Sequence, residues 1–350
     1  MHRSTARSLV GLLAVVVLAS PLAAQAGSAR DHAAARPGAA SRLRVGALGV
    51  LPVRGASATA PTNAAEPAQQ KILEYHGGPV MHSSTTYAIY WQPTDCGPDP
   101  CTVASGYNNG INTYFGDAAA DSGLITNVYS TLNQYYDIKN GNRNHVQYTQ
   151  TFGGSYVDTR PFPSNGCPQV YGSSGVCLSD SQIRKEVKVA MTAQGWTGGK
   201  SAAFFVMLPK EVDTCYDSSH CAFLQFCAYH SAFSNASGTP VIYANIPYVG
   251  TRLNVCNAQG KTPPNEPNLD ATLNGLSHEH REMTNDPFGN GWWDDQSGYE
   301  GSDQCAYKFG PDLGIGGPNN GSYNQLINGN EYLVQMEWSN KSVGCKQRGA

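Results

Sequence analysis

Ten cysteines set the strongest limit on how this 350-residue chain can fold, and all of them follow residue 95. An even number of cysteines in an exported chain indicates disulfides, and the lack of any C-x-x-C pair argues against a cysteine metal site. Spacing favours two short loops and leaves the connectivity of the other six cysteines open. The two favoured loops, followed by the neighbouring pairs that would complete the set, are Cys96–Cys101, Cys167–Cys177, Cys215–Cys221, Cys227–Cys256 and Cys305–Cys345.

The first 26 residues have the pattern of a secretory signal peptide. Arg3 and Arg7 precede an apolar run over residues 9–19, and an A-x-A cleavage pattern occupies residues 24–26. A membrane anchor is the alternative, but the run is well short of the roughly 20 residues that a span needs. We therefore expect a secreted, extracellular protein that has no membrane association after removal of the signal.

Residues 27–70 differ in composition from the rest of the chain. They are rich in Ala, Arg and Pro and contain no Tyr, Trp, Phe or Cys. This composition predicts a flexible linker or a removable pro-segment. The mildly apolar stretch 43–53 keeps open a second interpretation, a pro-region that shields a site. Residues 71–350 are then long enough to form one domain with a full core.

The charge balance excludes one class of partner. The chain has a net charge of −3, only 14% of its residues are charged, and residues 71–350 alone carry −8. Nucleic-acid binding by phosphate neutralisation requires a basic surface, so we expect no nucleic-acid partner. The 38 Gly and 19 Tyr indicate strands and ordered loops, and 40% hydrophobic residues are too many for a disordered protein.

Helical and strand patterns alternate along residues 71–350, which predicts an α/β domain with a mixed sheet. The fully apolar segment 202–208 is expected to be a central strand. The predicted strands are 86–91, 146–152, 202–208, 240–248 and 332–338. The predicted helices are 106–115, 125–136, a helix capped by Ser179 or Asp180 that ends at Gly195, and 270–285.

The helix predicted over 270–285 contains the sequence H-E-x-x-E. In the related H-E-x-x-H motif of zinc peptidases, the first and last residues bind the metal and the intervening Glu is the general base. Four residues advance by about 400° in a helix, so His278 and Glu282 share a face, and Glu is an accepted zinc ligand. Glu279 lies about 100° further round, where it could take a proton from a water molecule that the metal activates.

A catalytic zinc needs a third protein ligand. Asp286 lies two turns beyond His278, and Glu300 could fold back after a turn at Gly289 and Gly291. The same acidic loop also offers Asp294, Asp295 and Asp303, and oxygen ligands make calcium an alternative to zinc. A different interpretation of the motif is a solvated, salt-bridged helix face that includes Arg281.

Two further clusters have more than one interpretation. His230 lies in an aromatic, cysteine-flanked segment, where it is either a buried, hydrogen-bonded histidine or a catalytic residue. Trp292 and Trp293 stand beside acidic residues, which fits either a carboxylate-pair glycosidase or a structural tryptophan pair. The chain lacks the G-x-S-x-G sequence of a serine hydrolase.

Several motifs in this order resemble the phosphate-induced protein 1 (EXORDIUM-like) family over roughly residues 71–345. They are Tyr75–Met81 (YHGGPVM), Tyr87–Trp91 (YAIYW), Cys227–Ser231 (CAYHS), Val241–Ala244 (VIYA), Pro247-Tyr248, the S-H-E-x-x-E segment 277–287 with Trp293 and Asp294, Asn328-Gly329, and Tyr332–Gln335 with Trp338. Asn285 and the cysteine set depart from the family pattern. The resemblance implies an extracellular or cell-wall location, and its helix is zincin-like by analogy.

These observations together predict a secreted, metal-dependent hydrolase that is peptidase-like and acts on a peptide or a cell-wall polymer. The predicted metal ligands are His278, Glu282, Asp286 and Glu300, with Zn²⁺ as the expected cofactor and Ca²⁺ as the alternative. Glu279 and His230 are the predicted catalytic residues. The alternative is a non-catalytic extracellular or cell-wall protein that binds carbohydrate or a partner and whose acidic helix is structural.

Overall fold

The computed structural model describes residues 47–55, 72–96, 101–168 and 170–349. The predicted signal peptide and most of segment 27–70 lie outside these residues. At the centre is a six-stranded sheet in the order β1-β5-β6-β4-β2-β3, whose strands are β1 (Gly49–Pro52), β2 (Ser84–Trp91), β3 (Gln150–Asp158), β4 (Ala202–Met207), β5 (Phe226–Ser234) and β6 (Pro240–Ile246). Strands β6, β4, β2 and β3 are parallel, whereas β5 is antiparallel to both β1 and β6. The sheet is therefore mixed, as predicted.

Strand β4 confirms the expectation for the apolar segment 202–208. All six of its residues are buried, and it lies between β6 and β2. A continuous apolar run is typical of a parallel strand that is covered on both faces, because the side chains on both faces then pack into the core.

Three long helices cover the sheet: α1 (Tyr107–Ala120), α2 (Asp180–Gln194) and α3 (Pro267–Asn285). Helix α2 contacts one face, where the hydroxyls of Tyr229 and Tyr243 donate to Asp180. The opposite face carries His230, which contacts Glu279 on α3. The predicted caps of α2 are confirmed, since Ser179 forms a capping box and Gly195 ends the helix in the left-handed conformation.

The remaining elements are short. Two helices of four residues are Leu253–Cys256 and Gly301–Gln304, and two 3₁₀ helices are Val128–Gln134 and Val249–Arg252. Twelve short strands form six pairs: Glu74–Tyr75 with Trp292–Trp293, Tyr136–Lys139 with Asn142–His145, Cys177–Ser179 with Asp213–Cys215, Gly314–Gly316 with Gly321–Tyr323, Gln325–Ile327 with Asn330–Tyr332, and Glu337–Ser339 with Gly344–Lys346.

All five predicted disulfide pairings are present, and they include every cysteine of the chain. Each bridge joins cysteines that are neighbours along the chain, at separations from 5 to 40 residues. The chain is thus an α/β protein with a mixed sheet and five disulfides. Disulfides of this kind are compatible with an extracellular protein.

The linker prediction is wrong for part of segment 27–70. Residues 49–52 form β1, which pairs antiparallel with β5 at the edge of the central sheet, with Gly49 opposite His230. Leu51 and Val53 are buried in the core. The apolar stretch that starts at residue 43 therefore contributes a strand, which the low aromatic content of the segment concealed.

The helix predicted over 125–136 is wrong, and the structure has a 3₁₀ helix over Val128–Gln134 followed by a strand. The side chain of Asn127 accepts a hydrogen bond from the backbone N–H of Tyr129, and Ser130 donates back to the carbonyl of Asn127. Such local bonds compete with α-helical backbone bonds, which the spacing of apolar residues does not reveal.

Two strand predictions are also wrong in extent, and one strand was missed. Segment 332–338 contains only the ends of two short strands, because side chains of Asn324 and Asn274 bond the backbone of Val334 and Gln335. The strand predicted over 146–152 runs instead from 150 to 158. Strand β5, which carries His230, is absent from the predicted strands. Its first six residues are all buried, so it shows no alternation.

Among the described residues, no helix combines the length and the apolar character that a membrane span requires.

Candidate metal centre

Helix α3 is buried along almost its whole length, although it is rich in polar residues. All residues from Leu269 to Asn285 are buried, and Glu266 caps the helix by accepting from the N–H of Leu269. Pro267 occupies the first turn, where its missing N–H costs nothing. Polar and charged groups that are removed from water need partners, so the buried polar side chains of α3 must be satisfied by neighbouring protein groups or by a bound ion.

The first group of possible metal donors consists of His278, Glu282 and Asp303. His278 Nε2 lies 3.1 Å from Glu282 Oε1 and 3.4 Å from Asp303 Oδ1. The N–H of Asp303 donates to Glu282 Oε1, which joins the loop after α3 to the helix. The predicted common face of His278 and Glu282 is therefore observed, and both side chains are fully buried.

The second group consists of His230, Glu279 and Glu282. His230 Nδ1 lies 3.1 Å from Glu279 Oε2 and 3.6 Å from Glu282 Oε2. Glu282 belongs to both groups and directs one carboxylate oxygen towards each histidine. A carboxylate in this position can bridge two neighbouring ions or serve either one.

Asp286 and Glu300 lie on the His230 side of this region. Glu300 Oε2 is 4.0 Å from His230 Nε2, and the N–H of Gly291 donates to Asp286 Oδ1 at 2.6 Å. The structure thus brings together all six predicted site residues, but it places Asp303, rather than Asp286 or Glu300, beside His278 and Glu282. Sequence spacing alone could not choose among the acids of this loop.

The other acids of the loop do not join the cluster. Ser297 donates to the carboxylate of Asp294, and Asp295 is half exposed, 3.5 Å from His76. Trp292 is buried and donates to the carbonyl of Tyr136, which indicates a structural role for this side of the tryptophan pair. The position of the tryptophan pair beside acidic residues therefore gives less support to a carboxylate-pair glycosidase.

The interpretation of α3 as a solvated, salt-bridged surface is wrong. Arg281 is fully buried and its Nη1 donates to Glu337 Oε2 at 2.9 Å. His280 faces away from the two donor groups, as expected, and contacts Ser84 Oγ at 3.0 Å. Arg281 thus belongs to a buried ion pair, and His280 contacts the central sheet.

Gln335 supports the first donor group, and sequence reasoning assigned it no role. Its side-chain Nε2 lies 3.0 Å from His278 Nδ1 and also donates to the carbonyl of Ser302 at 2.7 Å. The contact fixes the imidazole with Nε2 towards Glu282 and Asp303. Outer contacts of this kind orient histidine ligands in metal sites.

Burial and mutual repulsion shift the ionisation of the carboxyl groups. Burial raises the pKa of Glu279 to about 8, and burial together with the charge of Asp303 raises the pKa of Glu282 to about 8. The pKa of Glu300 lies well above its ordinary value because of burial and the charge of Glu282, and burial also raises the pKa of Asp286. A cation among these groups would offset the cost of keeping them ionised.

The two histidines respond in opposite directions. Burial lowers the pKa of His230. Burial also acts to lower the pKa of His278, but the negative charges of Glu282, Asp303 and Glu279 outweigh it and raise that pKa well above its ordinary value. His278 therefore experiences a more negative electrostatic potential than His230 does.

The donor set fits a divalent metal ion. Five buried side-chain atoms in this region have no hydrogen-bond partner: His230 Nε2, His278 Nε2, Glu282 Oε2, Asp286 Oδ2 and Glu300 Oε2. Buried polar atoms are normally satisfied, so several unpaired atoms in one place point to a missing ligand. Imidazole nitrogens mixed with carboxylate oxygens suit zinc and similar divalent ions.

A third group of neighbouring donors, Cys167, Cys177 and Cys215, has a different explanation. All three sulfurs belong to disulfides. They are not available as thiolate ligands.

Comparison of the chain with protein-family models, with curated proteins and with solved structures found no significant match. The resemblance to the EXORDIUM-like family therefore stays a prediction.

Proposed function

We propose that this chain is a secreted, metal-dependent hydrolase of the peptidase type. The observation that carries the proposal is the pair of buried donor groups that share Glu282 and contain unpaired nitrogen and oxygen atoms. The H-E-x-x-E sequence on α3 adds the zincin-like pattern of two ligands around a glutamate. We extend the proposal to Zn²⁺ as the expected ion and to an EXORDIUM-like extracellular setting.

In this proposal His278, Glu282 and Asp303 hold the ion. His230 and the two acids Glu300 and Asp286 lie around it. When bound, such an ion supplies Lewis acidity that polarises a carbonyl group and lowers the pKa of water.

Glu279 is the proposed general base. Its carboxylate lies between His230 Nδ1, at 3.1 Å from Oε2, and the N–H of Leu51, at 3.1 Å from Oε1. A carboxyl group with a pKa of about 8 can hold and release a proton near neutral pH. His230 would hold this carboxylate in position through the contact between its Nδ1 and Glu279 Oε2.

A second function has one specific observation in its favour. Both histidines and Glu279 and Glu282 are fully buried, as a closed structural metal site would be. The alternative is therefore a non-catalytic extracellular or cell-wall protein in which the ion holds α3 and the loop after it together.

Elemental analysis of the purified full chain and of four variants tests these functions. We expect bound zinc in the wild type, and loss of at least 90% of it in His278→Ala and Glu282→Ala because each change removes a ligand. Glu279→Gln should retain the metal and lose hydrolysis of a peptide library at least a hundredfold, the usual size of a general-base contribution. His280→Gln is the matched control, since it changes a buried histidine of the same helix that faces away from the centre.

The outcomes separate the two functions. A structural site predicts metal in the wild type, a lowered melting temperature in His278→Ala and no activity for Glu279→Gln to lose. Wild-type protein that contains no metal and gains no thermal stability from added zinc or calcium would contradict both.

A further inference from the structure

Strand β1 is the part of the molecule that closes the candidate metal centre. It adds to the edge of β5 in antiparallel register, and the N–H groups of Leu48 and Val53 donate to the carbonyls of His230 and Gln225. Without β1, β5 would be an edge strand with unpaired backbone groups. The edge is therefore able to bind an extended polypeptide by backbone hydrogen bonds.

The backbone of β1 lies directly against both catalytic candidates. The N–H of Leu51 donates to Glu279 Oε1 at 3.1 Å, so one oxygen of the proposed base is engaged by the strand. A Cβ atom at Gly49 would lie 2.3 Å from Glu282 Oε2 and 2.4 Å from His230 Cε1. Only glycine allows this approach, and it brings main chain, rather than a side chain, onto the donor groups.

The side chains of β1 define a short recognition pattern. Leu51, two residues after Gly49, is 1% exposed and points towards Gly275 of α3. The hydroxyl of Tyr307 donates to the carbonyl of Pro52 at 2.8 Å, and the guanidinium of Arg54 lies over the same ring. The edge thus accepts glycine opposite His230, an apolar residue two positions later, and a cation beyond it.

The sequence around β1 is unlike the rest of the domain. Residues 56–71, which follow the described strand segment, are rich in Ala and Pro and lack aromatic residues and cysteine. Gly49 places bare backbone against Glu282 and His230, two residues of the proposed site. The composition of the surrounding sequence and the position of β1 together match a peptide that occupies a binding site.

We propose that the edge of β5 is a binding site for extended peptides and that residues 47–54 are its internal, partially inhibitory occupant, so that the full chain keeps a reduced level of hydrolysis. The inhibition by β1 rests on the proposed hydrolase function, and the substrate class is unfolded or extended polypeptide. Displacement of β1 frees Glu279 Oε1 and gives a peptide backbone access to Glu282 and His230.

The test uses the full chain with Gly49→Val, whose added side chain collides with Glu282 and His230. Val50→Ala is the matched control, because Val50 belongs to the same strand, pairs with Tyr229 and lies half-buried on the opposite face. The probe is a fluorescent synthetic peptide of residues 46–55, GALGVLPVRG, and the control peptide carries Val in place of Gly49.

We expect Gly49→Val to bind the probe at least tenfold more tightly than the wild type or the Val50→Ala control, and the control peptide to bind to none of them. Extraction of the metal by a chelator should also become at least tenfold faster in Gly49→Val. A correctly folded Gly49→Val protein that binds no probe and loses metal at the wild-type rate would overturn the proposal.

A second measurement covers the case in which Gly49→Val does not fold. A site for a sequence-specific protease is inserted after Pro61 of the otherwise unchanged full chain, and the chain is cut after folding. We expect excess probe to displace the cut N-terminal fragment in gel filtration, and to leave the uncut chain unlabelled. A cut fragment that stays bound through days of competition identifies β1 as an integral strand and contradicts the proposal.

Activity then distinguishes this proposal from the hydrolase function. Probe binding and faster metal extraction without any peptide hydrolysis would support the peptide site and contradict the hydrolase. Equal hydrolysis by the wild type and by Gly49→Val would support the hydrolase and contradict inhibition by β1.

Discussion

Gln335 is the residue whose role in the candidate centre is most open to direct test. It is fully buried and touches His278 Nδ1, the ring nitrogen that faces away from the acids. Gln335→Leu keeps the approximate volume but removes the polar contact. We expect zinc affinity to fall by about 10- to 100-fold, because the His278 ring loses the contact that fixes its orientation.

Isothermal titration with zinc measures this change, and Gln325→Leu is the matched control. Gln325 is also a buried glutamine, but it accepts from the N–H of Val128 and donates to the carbonyl of Gln347, neither of which belongs to the candidate centre. We expect it to lose stability and to retain zinc affinity. Equal affinities in the two variants and the wild type would show that His278 needs no support from Gln335.

Among the residues of the candidate centre, the sequence predicted the two that share helix α3, but it did not identify which residue of the following loop lies beside them. Four-residue spacing placed His278 and Glu282 on one face, because helical geometry is the same in every protein. Asp303 reaches them through a short helix and a backbone hydrogen bond to Glu282, which depend on how residues 286–305 turn. No periodicity in the sequence records that path.

Helix α3 is attached to the C-terminal hairpin by a buried ion pair. Arg281 donates to Glu337 Oε2, which also accepts from the hydroxyl of Ser302 at 2.7 Å. Arg281→Met leaves Glu337 buried without its cation, and we expect it to lower the free energy of unfolding by about 3–5 kcal/mol. Urea unfolding of the oxidised protein measures the change.

The double variant Arg281→Met with Glu337→Leu shows whether the ion pair itself carries this energy. Removal of both charges leaves no unpaired buried ion, so the double variant should be more stable than Arg281→Met alone. If the loss of unfolding free energy in the double variant equals the sum of the losses in Arg281→Met and in Glu337→Leu, the ion pair makes no specific contribution. The losses then reflect packing.

Elements with a continuous apolar run or regular caps were predicted, and elements held by side-chain to backbone bonds were not. Strand β4 and helix α2 carry their own signals, an apolar run in the first and a Ser179 cap with Gly195 in the second. Segment 332–338 looked like a strand, but its backbone bonds to the side chains of Asn324 and Asn274. Such partners are distant in the sequence, so the local pattern contains no trace of them.

The stability of the whole molecule should fall as the pH rises because of Glu186. Burial, together with the nearby carboxylate of Asp158, raises the pKa of Glu186 to about 9, although Arg160 lies 3.2 Å from it. Between pH 4.5 and 9 the folded chain keeps this proton and the unfolded chain releases it. The free energy of unfolding should therefore decrease with pH by up to about 1.4 kcal/mol per unit from this group.

Glu186→Gln removes the titrating group and keeps its shape. We expect the variant to gain stability relative to the wild type as the pH rises from 5 to 9, measured as the difference in melting temperature. The comparison near pH 4.5, where the wild-type side chain is largely protonated in the folded state, controls for the packing change. Parallel curves over this range would contradict a raised pKa at Glu186.

The positions of the disulfides have a kinetic consequence for β1. All ten cysteines follow residue 95, so no disulfide links Gly49–Pro52 to the domain. The covalent connection between this strand and the domain is the peptide chain through residues 56–71. While that chain is intact, the strand is present at its site at an effective concentration in the millimolar range, whatever the dilution of the protein. A single cut there would lower this concentration to that of the protein in solution. Release would then depend on dilution and, at low protein concentration, would be in practice a one-way step.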